Sequence, residues 1–253
     1  MPAAAPRPDL PEVVESVSHI DGWLTAGQAA ALYQAARRCP EHGTIVEIGS
    51  FRGRSTVVLA SAAPRGASVV AIDPHAGNDR GPQEIVGFVD EADEDHVEFL
   101  RNLDRAGVRG RVRHVRRYSS EAHDAVTGPI HVLYVDGAHR YAPARQDIVD
   151  WGERVEEGGS LLIHDSFSSL GVTLAILREL LLGGRFRYVD RTRSMAIYRA
   201  DLDGSSTVRL HNAARQLAQL PWFARNLVLK LVLVLGAGKL MERVGRTAPE
   251  WPY

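Results

Sequence analysis

The stretch IVEIGSFRGRST, from Ile45 to Thr56, decides the fold of this chain. Its apolar run through Ile48 ends at Gly49, a polar turn with a second glycine at Gly53 follows, and the helix-like sequence TVVLASAA comes next. This order is typical of a buried strand, a tight turn and the beginning of a helix. Because glycine has no Cβ and the first N–H groups of a helix lack partners within the helix, the turn predicts a ligand cradle.

A second apolar strand, Ser68 to Ile72, ends in Asp73. Asp73 follows the first glycines by about twenty residues, the spacing at which an acidic residue reaches a pair of ribose hydroxyls. The turn reads ExGxxxG, with Glu47 in front of the glycine, whereas the dinucleotide turn that cradles a pyrophosphate reads GxGxxG. A carboxylate in this place favours a cationic ligand over an anionic one.

The bulk composition bounds the class of protein. The 253 residues, 45% hydrophobic and 24% charged, indicate one catalytic-size globular domain with additions. The net charge of −1 argues against a nucleic-acid partner. Cys39 is the single cysteine, which excludes an intramolecular disulfide and favours a cytoplasmic location. Residues 1–16 are rich in alanine and proline, do not resemble a secretory signal, and are predicted to form a flexible arm.

Strands alternate with helices along most of the chain, which predicts a doubly wound α/β fold. Ile130 to Val135 is a continuous apolar run suited to a central parallel strand. The next helix, ARQDIVDWGERVEEGG, is predicted to end at Gly158 and Gly159, and Ser160 to Ile163 forms the following strand. The sequence FRYVDRTRSMAIYRA then has a two-strand pattern.

Two aspartates come directly after apolar strands. Asp136 follows one strand, and Asp165 follows the next by way of His164. Because ligands of open α/β sheets bind at the carboxyl ends of the strands, both carboxylates are expected within reach of one cation. Oxygen ligands suit Mg²⁺ or Mn²⁺. His139, on the loop after Asp136, is a candidate general base. The alternative is that both aspartates cap the following helices.

These motifs resemble a known family of enzymes. VEIGSFRGRST followed by VVAIDP resembles the first two motifs of class I S-adenosylmethionine-dependent methyltransferases. VLYVDGAHRYAPARQDIVDW and GGSLLIHDSF resemble the metal-dependent O-methyltransferases that act on sugars, such as the macrocin and mycinamicin enzymes and small actinobacterial sugar methyltransferases. The resemblance covers roughly Gly22 to Arg199 and implies a Rossmann-like seven-stranded sheet with an antiparallel edge.

The resemblance also implies roles for individual residues. Asp136 and His139 match a metal ligand and a base, and His164 and Asp165 match a later pair of acidic metal ligands. The first member of that pair is commonly Glu in the family, so His164 leaves open whether the metal is Mg²⁺ or Mn²⁺ and whether this imidazole binds it. The residues expected to bind S-adenosylmethionine are Glu47, Gly49, Ser55, Asp73, Ser119 and Asp136.

Three further segments carry predictions. The long loop over residues 74–94 is predicted to be a lid. Trp23 either lies at the cofactor mouth or packs against the sheet. Residues 204–253 read as two helices broken near Pro221, and the apolar run Leu227 to Leu235 is too short to span a bilayer. Its apolar residues are therefore expected to pack on the same subunit or in a homodimer.

The sequence thus predicts a flexible arm (1–16), a methyltransferase domain (17–203) and a C-terminal helical appendage (204–253). The expected reaction is methyl transfer to a sugar hydroxyl of a small molecule or oligosaccharide, with S-adenosylmethionine and Mg²⁺ or Mn²⁺. A mannoside or a deoxysugar is the expected acceptor. The alternatives are a catechol-type O-methyltransferase and a cofactor-binding scaffold without catalysis.

Overall fold

Seven strands form one sheet in the described part of the chain. The computed structural model describes residues 7–77, 89–181, 184–202 and 204–234. The strands are β1 (Thr44–Ile48), β2 (Ser68–Ile72), β3 (Val112–Val115), β4 (Ile130–Val135), β5 (Val155–Ile163), β6 (Arg187–Thr192) and β7 (Met195–Arg199). Their order is β3-β2-β1-β4-β5-β7-β6, with β1 to β5 parallel and β7 antiparallel to both of its neighbours.

Helices cover both faces of this sheet. They are α1 (Leu10–Ser16), α2 (Ala26–Arg37), α3 (Arg54–Ala62), α4 (Ala92–Arg105), α5 (Tyr141–Gly152), α6 (Leu170–Glu179), α7 (Ser206–Leu217) and α8 (Leu220–Val234). One buried apolar cluster contains Leu32 and Leu59, from α2 and α3, and a second contains Trp151 and Ile176, from α5 and α6. The doubly wound fold with an antiparallel edge is therefore confirmed.

The sheet order places the candidate site. Strand β1 lies between β2 and β4. Strands β2 and β3 are added on one side of β1, and β4 and β5 on the other side, so the strand order reverses at β1. Open α/β sheets bind ligands in the crevice outside the carboxyl ends of strands at such a reversal. The glycine turn after β1 and the loop after β4 meet at this point, because the N–H of Asp136 donates to the Ile48 carbonyl at 2.8 Å.

Two predicted boundaries are wrong. Helix α5 ends at Gly152, and β5 already begins at Val155, which pairs with Ile130. Gly158 and Gly159 therefore lie within a strand instead of ending the helix. The pairing with Ile130 and the burial of Val155 override the helical preference of the charged sequence around it.

The predicted flexible arm is also ordered from Arg7 onward. Asp9 and Glu12 form a capping box at the beginning of α1, and Val13 is buried in the core. Residues 1–6 lie outside the described residues. So do residues 78–88, which make up about half of the predicted lid.

Helix α8 packs against the core through one side only. Trp222 and Phe223 of α8 contact the core, whereas Leu227, Val228 and Leu231 are exposed in the single chain. The expected burial of this apolar run is thus not met within the described residues, and the homodimer stays a prediction. In the segments that the structure describes, no helix is long and apolar enough to cross a membrane.

Candidate active site

The glycine turn after β1 is held in a conformation that glycine adopts readily. Gly49 has φ +84°, and a Cβ built there would lie 2.2 Å from the carbonyl oxygen of Asp136. Gly53, with φ +86°, precedes the first residue of α3. Only a glycine at position 49 lets the turn lie directly against the loop after β4. The two loops that carry the predicted cofactor and metal residues are therefore in contact.

Asp73 organises this turn through the backbone. Its Oδ2 accepts hydrogen bonds from the N–H groups of Ser50 and Phe51 at 2.8 Å each, and its Oδ1 accepts one from the N–H of His75 at 2.8 Å. A carboxylate offers about four acceptor positions. Asp73 thus retains acceptor capacity on the side that lines the cavity, as the predicted contact with a ribose requires.

Glu47 lies beneath the turn, and the cavity lining does not include it. Its fully buried carboxyl group accepts a hydrogen bond from the hydroxyl of Ser55 at 2.5 Å and another from the hydroxyl of Thr56. Burial raises the pKa of Glu47 to about 8, although these two hydrogen bonds lower it in part. The structure therefore places Glu47 as a support of α3, not as a charge that faces a cationic ligand.

A single cavity of about 630 Å³ joins the predicted cofactor and metal residues. The glycine turn and Asp73 line one part, and the loops after β4 and β5 line another. Trp23 lies at its wall, with its ring 5.4 Å from that of Phe51 and 40% of the residue exposed. Of the two alternatives for Trp23, the structure favours the cofactor mouth. Of the predicted cofactor residues, those that line the cavity are Gly49, Ser55, Asp73, Ser119 and Asp136.

Ser119 and Asp147 form a pair in this lining. The Ser119 hydroxyl donates to Asp147 Oδ1 at 2.5 Å. Burial raises the pKa of Asp147 to about 6, and the hydrogen bond from Ser119 lowers it in part. Sequence reasoning did not identify Asp147, because nothing in the sequence of α5 shows which of its polar residues turns towards the loop after β3.

Three side chains at the ends of β4 and β5 form a donor cluster suited to a metal ion. Ligand atoms of Asp136, His139 and Asp165 all lie within 4.8 Å of one another. The Nε2 of His139 is 2.9 Å from Asp165 Oδ2, and the hydroxyl of Tyr134 donates to Asp136 Oδ2 at 2.7 Å. The two carboxylates supply the oxygen ligands that Mg²⁺ and Mn²⁺ prefer, and the imidazole of His139 lies beside them. The predicted pair of strand-end aspartates therefore converges as expected.

Asp165 adopts a backbone conformation that is uncommon for a residue with a side chain. Its φ is +53°, in the left-handed region. Such residues persist where the surrounding structure holds them, and they cluster at functional sites. Here the hydrogen bonds of the Ser168 and Ser169 N–H groups to the Asp165 carbonyl fix the turn. The turn directs the carboxylate of Asp165 into the cavity.

His164, which was predicted as a metal ligand, is not one of the three residues of the donor cluster but contacts two of them. Its Nδ1 lies 3.1 Å from Asp136 Oδ1 and 3.0 Å from Asp165 Oδ2. Its Nε2 lies 3.2 Å from the amide nitrogen of Gln28. Both ring nitrogens of this buried residue therefore have protein partners. A histidine in this position orients the two carboxylates.

The tautomer of His164 follows from the orientation of Gln28. The amide oxygen of Gln28 accepts from the N–H of Thr25 at 2.8 Å, so its nitrogen faces His164 and must donate. The acceptor is then Nε2, and the hydrogen of the neutral ring is on Nδ1. Burial lowers the pKa of His164, but the carboxylates of Asp136 and Asp165 outweigh it and raise the pKa well above its usual range.

These two requirements oppose each other. The Gln28 contact needs a neutral ring, whereas two uncompensated carboxylates attract a second proton. The hydrogen bond from the Thr25 N–H fixes the amide of Gln28 from its other side and favours the neutral ring. A divalent cation shared by Asp136 and Asp165 would neutralise their charge and leave His164 neutral, so the site fits such a cation.

Comparisons with known proteins agree with the fold. Residues 46–166 match a family model described as a methyltransferase domain. The O-methyltransferase NovP has a similar structure, with a TM-score of 0.55 and 16% identity over 70% of this chain and 80% of NovP. The O-methyltransferase TomG from Streptomyces achromogenes, involved in tomaymycin synthesis and solved with S-adenosylmethionine, has a TM-score of 0.52 and 18% identity over 76% of this chain and 89% of TomG.

A third similar structure is that of cofactor-bound Rv0187 from MTB. It has a TM-score of 0.52 and 18% identity over 76% of this chain and 88% of that protein. The fold is thus that of the Rossmann-like class I methyltransferases. The family model shows further that this chain carries a methyltransferase domain, which confirms the class of enzyme inferred from the sequence. The cytoplasmic location, the homodimer and the absence of a nucleic-acid partner stay predictions.

Proposed function

We propose that this protein is an S-adenosylmethionine-dependent O-methyltransferase that methylates a sugar hydroxyl with the help of a divalent cation. One observation carries the proposal. The donor cluster of Asp136, His139 and Asp165 lines the same cavity as the glycine turn. A cofactor in the turn and an acceptor at the cluster would therefore lie side by side, as direct methyl transfer requires.

The cofactor half of the cavity would hold S-adenosylmethionine by its ribose and its adenine. Asp73 would accept hydrogen bonds from the ribose hydroxyls, and the turn at Gly49 lets the cofactor approach the backbone. Ser119 lies where an adenine or ribose contact is expected. The NovP, TomG and Rv0187 structures support this proposal through the shared fold.

The acceptor half would bind the hydroxyl that is methylated. Asp136 and Asp165 would hold a divalent cation, whose positive charge would lower the pKa of a nearby hydroxyl. We assign the base to His139, whose ring Asp165 orients at 2.9 Å. The hydroxyl proton passes to His139, the oxygen forms a bond to the methyl carbon, and the bond from that carbon to sulfur breaks to leave a neutral thioether. The protein would contribute alignment and proton removal.

The donor cluster also supports a second acceptor class. A catechol offers the same pair of adjacent oxygens to a cation as a sugar diol. This alternative, a catechol-type O-methyltransferase, shares the metal site and differs only in the acceptor.

An acceptor panel tests the proposal. Methyl transfer from S-adenosylmethionine would be measured for mannosides, deoxysugar glycosides and catechols. Transfer to a glycoside supports a sugar acceptor, and transfer to a catechol alone supports the second class. Binding of S-adenosylmethionine without transfer to any acceptor would contradict the proposal and favour a scaffold without catalysis.

The role of His139 needs its own comparison. The variant His139→Ala should lower kcat by about 10²- to 10⁴-fold, the usual contribution of a general base, while metal affinity is retained. A matched control, His19→Ala, removes an exposed imidazole outside the cavity and should leave kcat unchanged. Loss of metal binding in His139→Ala would instead make His139 a ligand and leave the base unassigned.

A further inference from the structure

Helix α8 is fixed against the loop that carries Asp165. The side-chain amide of Asn226, which is fully buried, donates to the carbonyl of Phe167 at 3.0 Å. The guanidinium of Arg191 lies 3.8 Å from the centre of the Trp222 ring, one turn earlier on the same side of the helix. These contacts place the helical appendage over the β5–α6 loop, next to the acceptor half of the cavity.

Lys230 of this helix reaches the cavity. It follows Asn226 by four residues and therefore lies on the same face, about 6 Å further along the helix. It lines the cavity, whereas Leu227, Val228 and Leu231 are exposed. Lys230 is the only lysine among the residues that the structure describes, and it stands within the apolar sequence LVLKLVLV. A lysine needed only for solubility would lie on the exposed side of this helix.

A second cationic side chain, that of Arg140, lines the same cavity. Arg140 directly follows His139 and precedes the first residue of α5. The Ser169 hydroxyl donates to the His139 carbonyl at 3.1 Å, so this loop is tied to the beginning of α6. Arg140 and Lys230 thus come from two separate elements that are both attached to the β5–α6 loop, and both line the cavity that holds the donor cluster.

We propose that the methyl acceptor carries an anionic group, a phosphate or a carboxylate, that Lys230 and Arg140 bind. The inference rests on the proposed function and narrows its substrate class. The ammonium of Lys230 supplies a point charge, and the guanidinium of Arg140 can form two parallel hydrogen bonds to such a group. Asp136 and Asp165 would not repel the anionic group, because the divalent cation of the proposed mechanism would neutralise their charge.

Matched acceptors test the inference on the full chain. The rates would be compared for methyl mannoside, its 6-phosphate and methyl mannosiduronate with a free carboxylate, which share a methyl glycoside ring and differ in the group at C6. We expect the wild type to prefer an anionic acceptor, and the preferred one identifies phosphate or carboxylate. Lys230→Met should lower the ratio of kcat/KM for the anionic acceptor to that for the neutral one by about 10- to 100-fold, mostly through KM.

Two further variants make the result specific. Lys230→Arg keeps the charge and should retain most of the preference. Arg225→Met removes a charge from an exposed position of the same helix and should leave the ratio unchanged. An equal rate for all three acceptors, or an unchanged ratio in Lys230→Met, would overturn the inference. A raised KM for S-adenosylmethionine with every acceptor would also overturn it, because Lys230 would then hold the cofactor's carboxylate.

Failure of the proposed function has a different signature. If no acceptor is methylated, binding of mannose 6-phosphate and of mannose can still be compared by the quenching of tryptophan fluorescence. Tighter binding of the phosphate that is weakened in Lys230→Met supports the anionic site without methyl transfer. Equal binding of both sugars in the wild type would overturn the site itself.

Discussion

Replacing Glu47 by glutamine should make the protein more stable at neutral pH and above. Glu47 is fully buried, and its pKa is raised from 4.5 to about 8. Between these two values the folded protein keeps the proton, whereas the unfolded chain releases it. Stability of the wild type therefore falls as pH rises through this window, by about 1.4 kcal/mol per pH unit. Between pH 5 and pH 7 the loss is about 3 kcal/mol.

The glutamine variant lacks this dependence. Its amide cannot ionise, and its oxygen can accept from one of the hydroxyls of Ser55 and Thr56 while its NH2 group donates to the other. At pH 5 the two proteins should differ by less than about 1.5 kcal/mol, the range of an isosteric replacement in a core. By pH 7 Glu47→Gln should be the more stable protein.

Urea unfolding at pH 5, 6, 7 and 8 measures the effect. The control, Glu153→Gln, changes an exposed carboxyl group and should keep the pH dependence of the wild type. Parallel pH profiles for the wild type and Glu47→Gln would refute the reasoning. So would a large loss of S-adenosylmethionine affinity in a variant of unchanged stability, because Glu47 would then act on the cofactor through its charge.

Two further substitutions test the architecture of the site. Gly49→Ala should destabilise the fold by about 2–5 kcal/mol, because the added Cβ would overlap the carbonyl of Asp136 at a positive φ. The control is Gly110→Ala, where no atom lies within 4 Å of the added Cβ. Its free energy of unfolding should stay within about 0.5 kcal/mol of the wild type in the same urea titration. Gln28→Leu removes the donor to His164 and should lower metal affinity by about 10- to 100-fold, as measured by calorimetry. An unchanged affinity would show that Gln28 does not orient the site.

The fold could be predicted largely because most strands are apolar runs that end at a polar or glycine residue. The run Ile130 to Val135 is apolar throughout and is followed by a polar residue, so its bounds match β4. The sequence between Trp151 and Ser160 has a misleading marker, because Gly158 and Gly159 lie within β5. It contains charged residues that favour a helix, and only the pairing of Val155 with Ile130 shows where β5 begins. Sequence spacing does not contain that long-range contact.

In the candidate site, too, the features that depend on local sequence could be predicted and those that depend on long-range contacts could not. Asp136 and Asp165 were predicted together because both end parallel strands, and the structure brings them together. The role of His164 depends on Gln28, which is 136 residues away in the sequence. The resemblance to a pair of acidic ligands suggested a metal contact, but the ring is already occupied on both nitrogens. Local sequence could not show this.

Lys230 was missed for a related reason. In the sequence Lys230 is one charge in an apolar run. The sequence does not show which face of α8 packs against the rest of the protein, so it does not show whether Lys230 faces the cavity or solvent. The contact between Asn226 and the Phe167 carbonyl fixes that placement across 59 residues of sequence. Only the three-dimensional structure shows that this helix contributes to the cavity.

The most direct test of the central claim is the rate of methyl transfer with and without the divalent cation. Wild-type protein would be assayed with its best acceptor after chelation and after Mg²⁺ or Mn²⁺ is restored, beside Asp165→Asn and the exposed control Asp190→Asn. The account predicts that chelation abolishes transfer, that the cation restores it, and that only Asp165→Asn is not rescued. Full activity in chelator, or in Asp165→Asn, would contradict it.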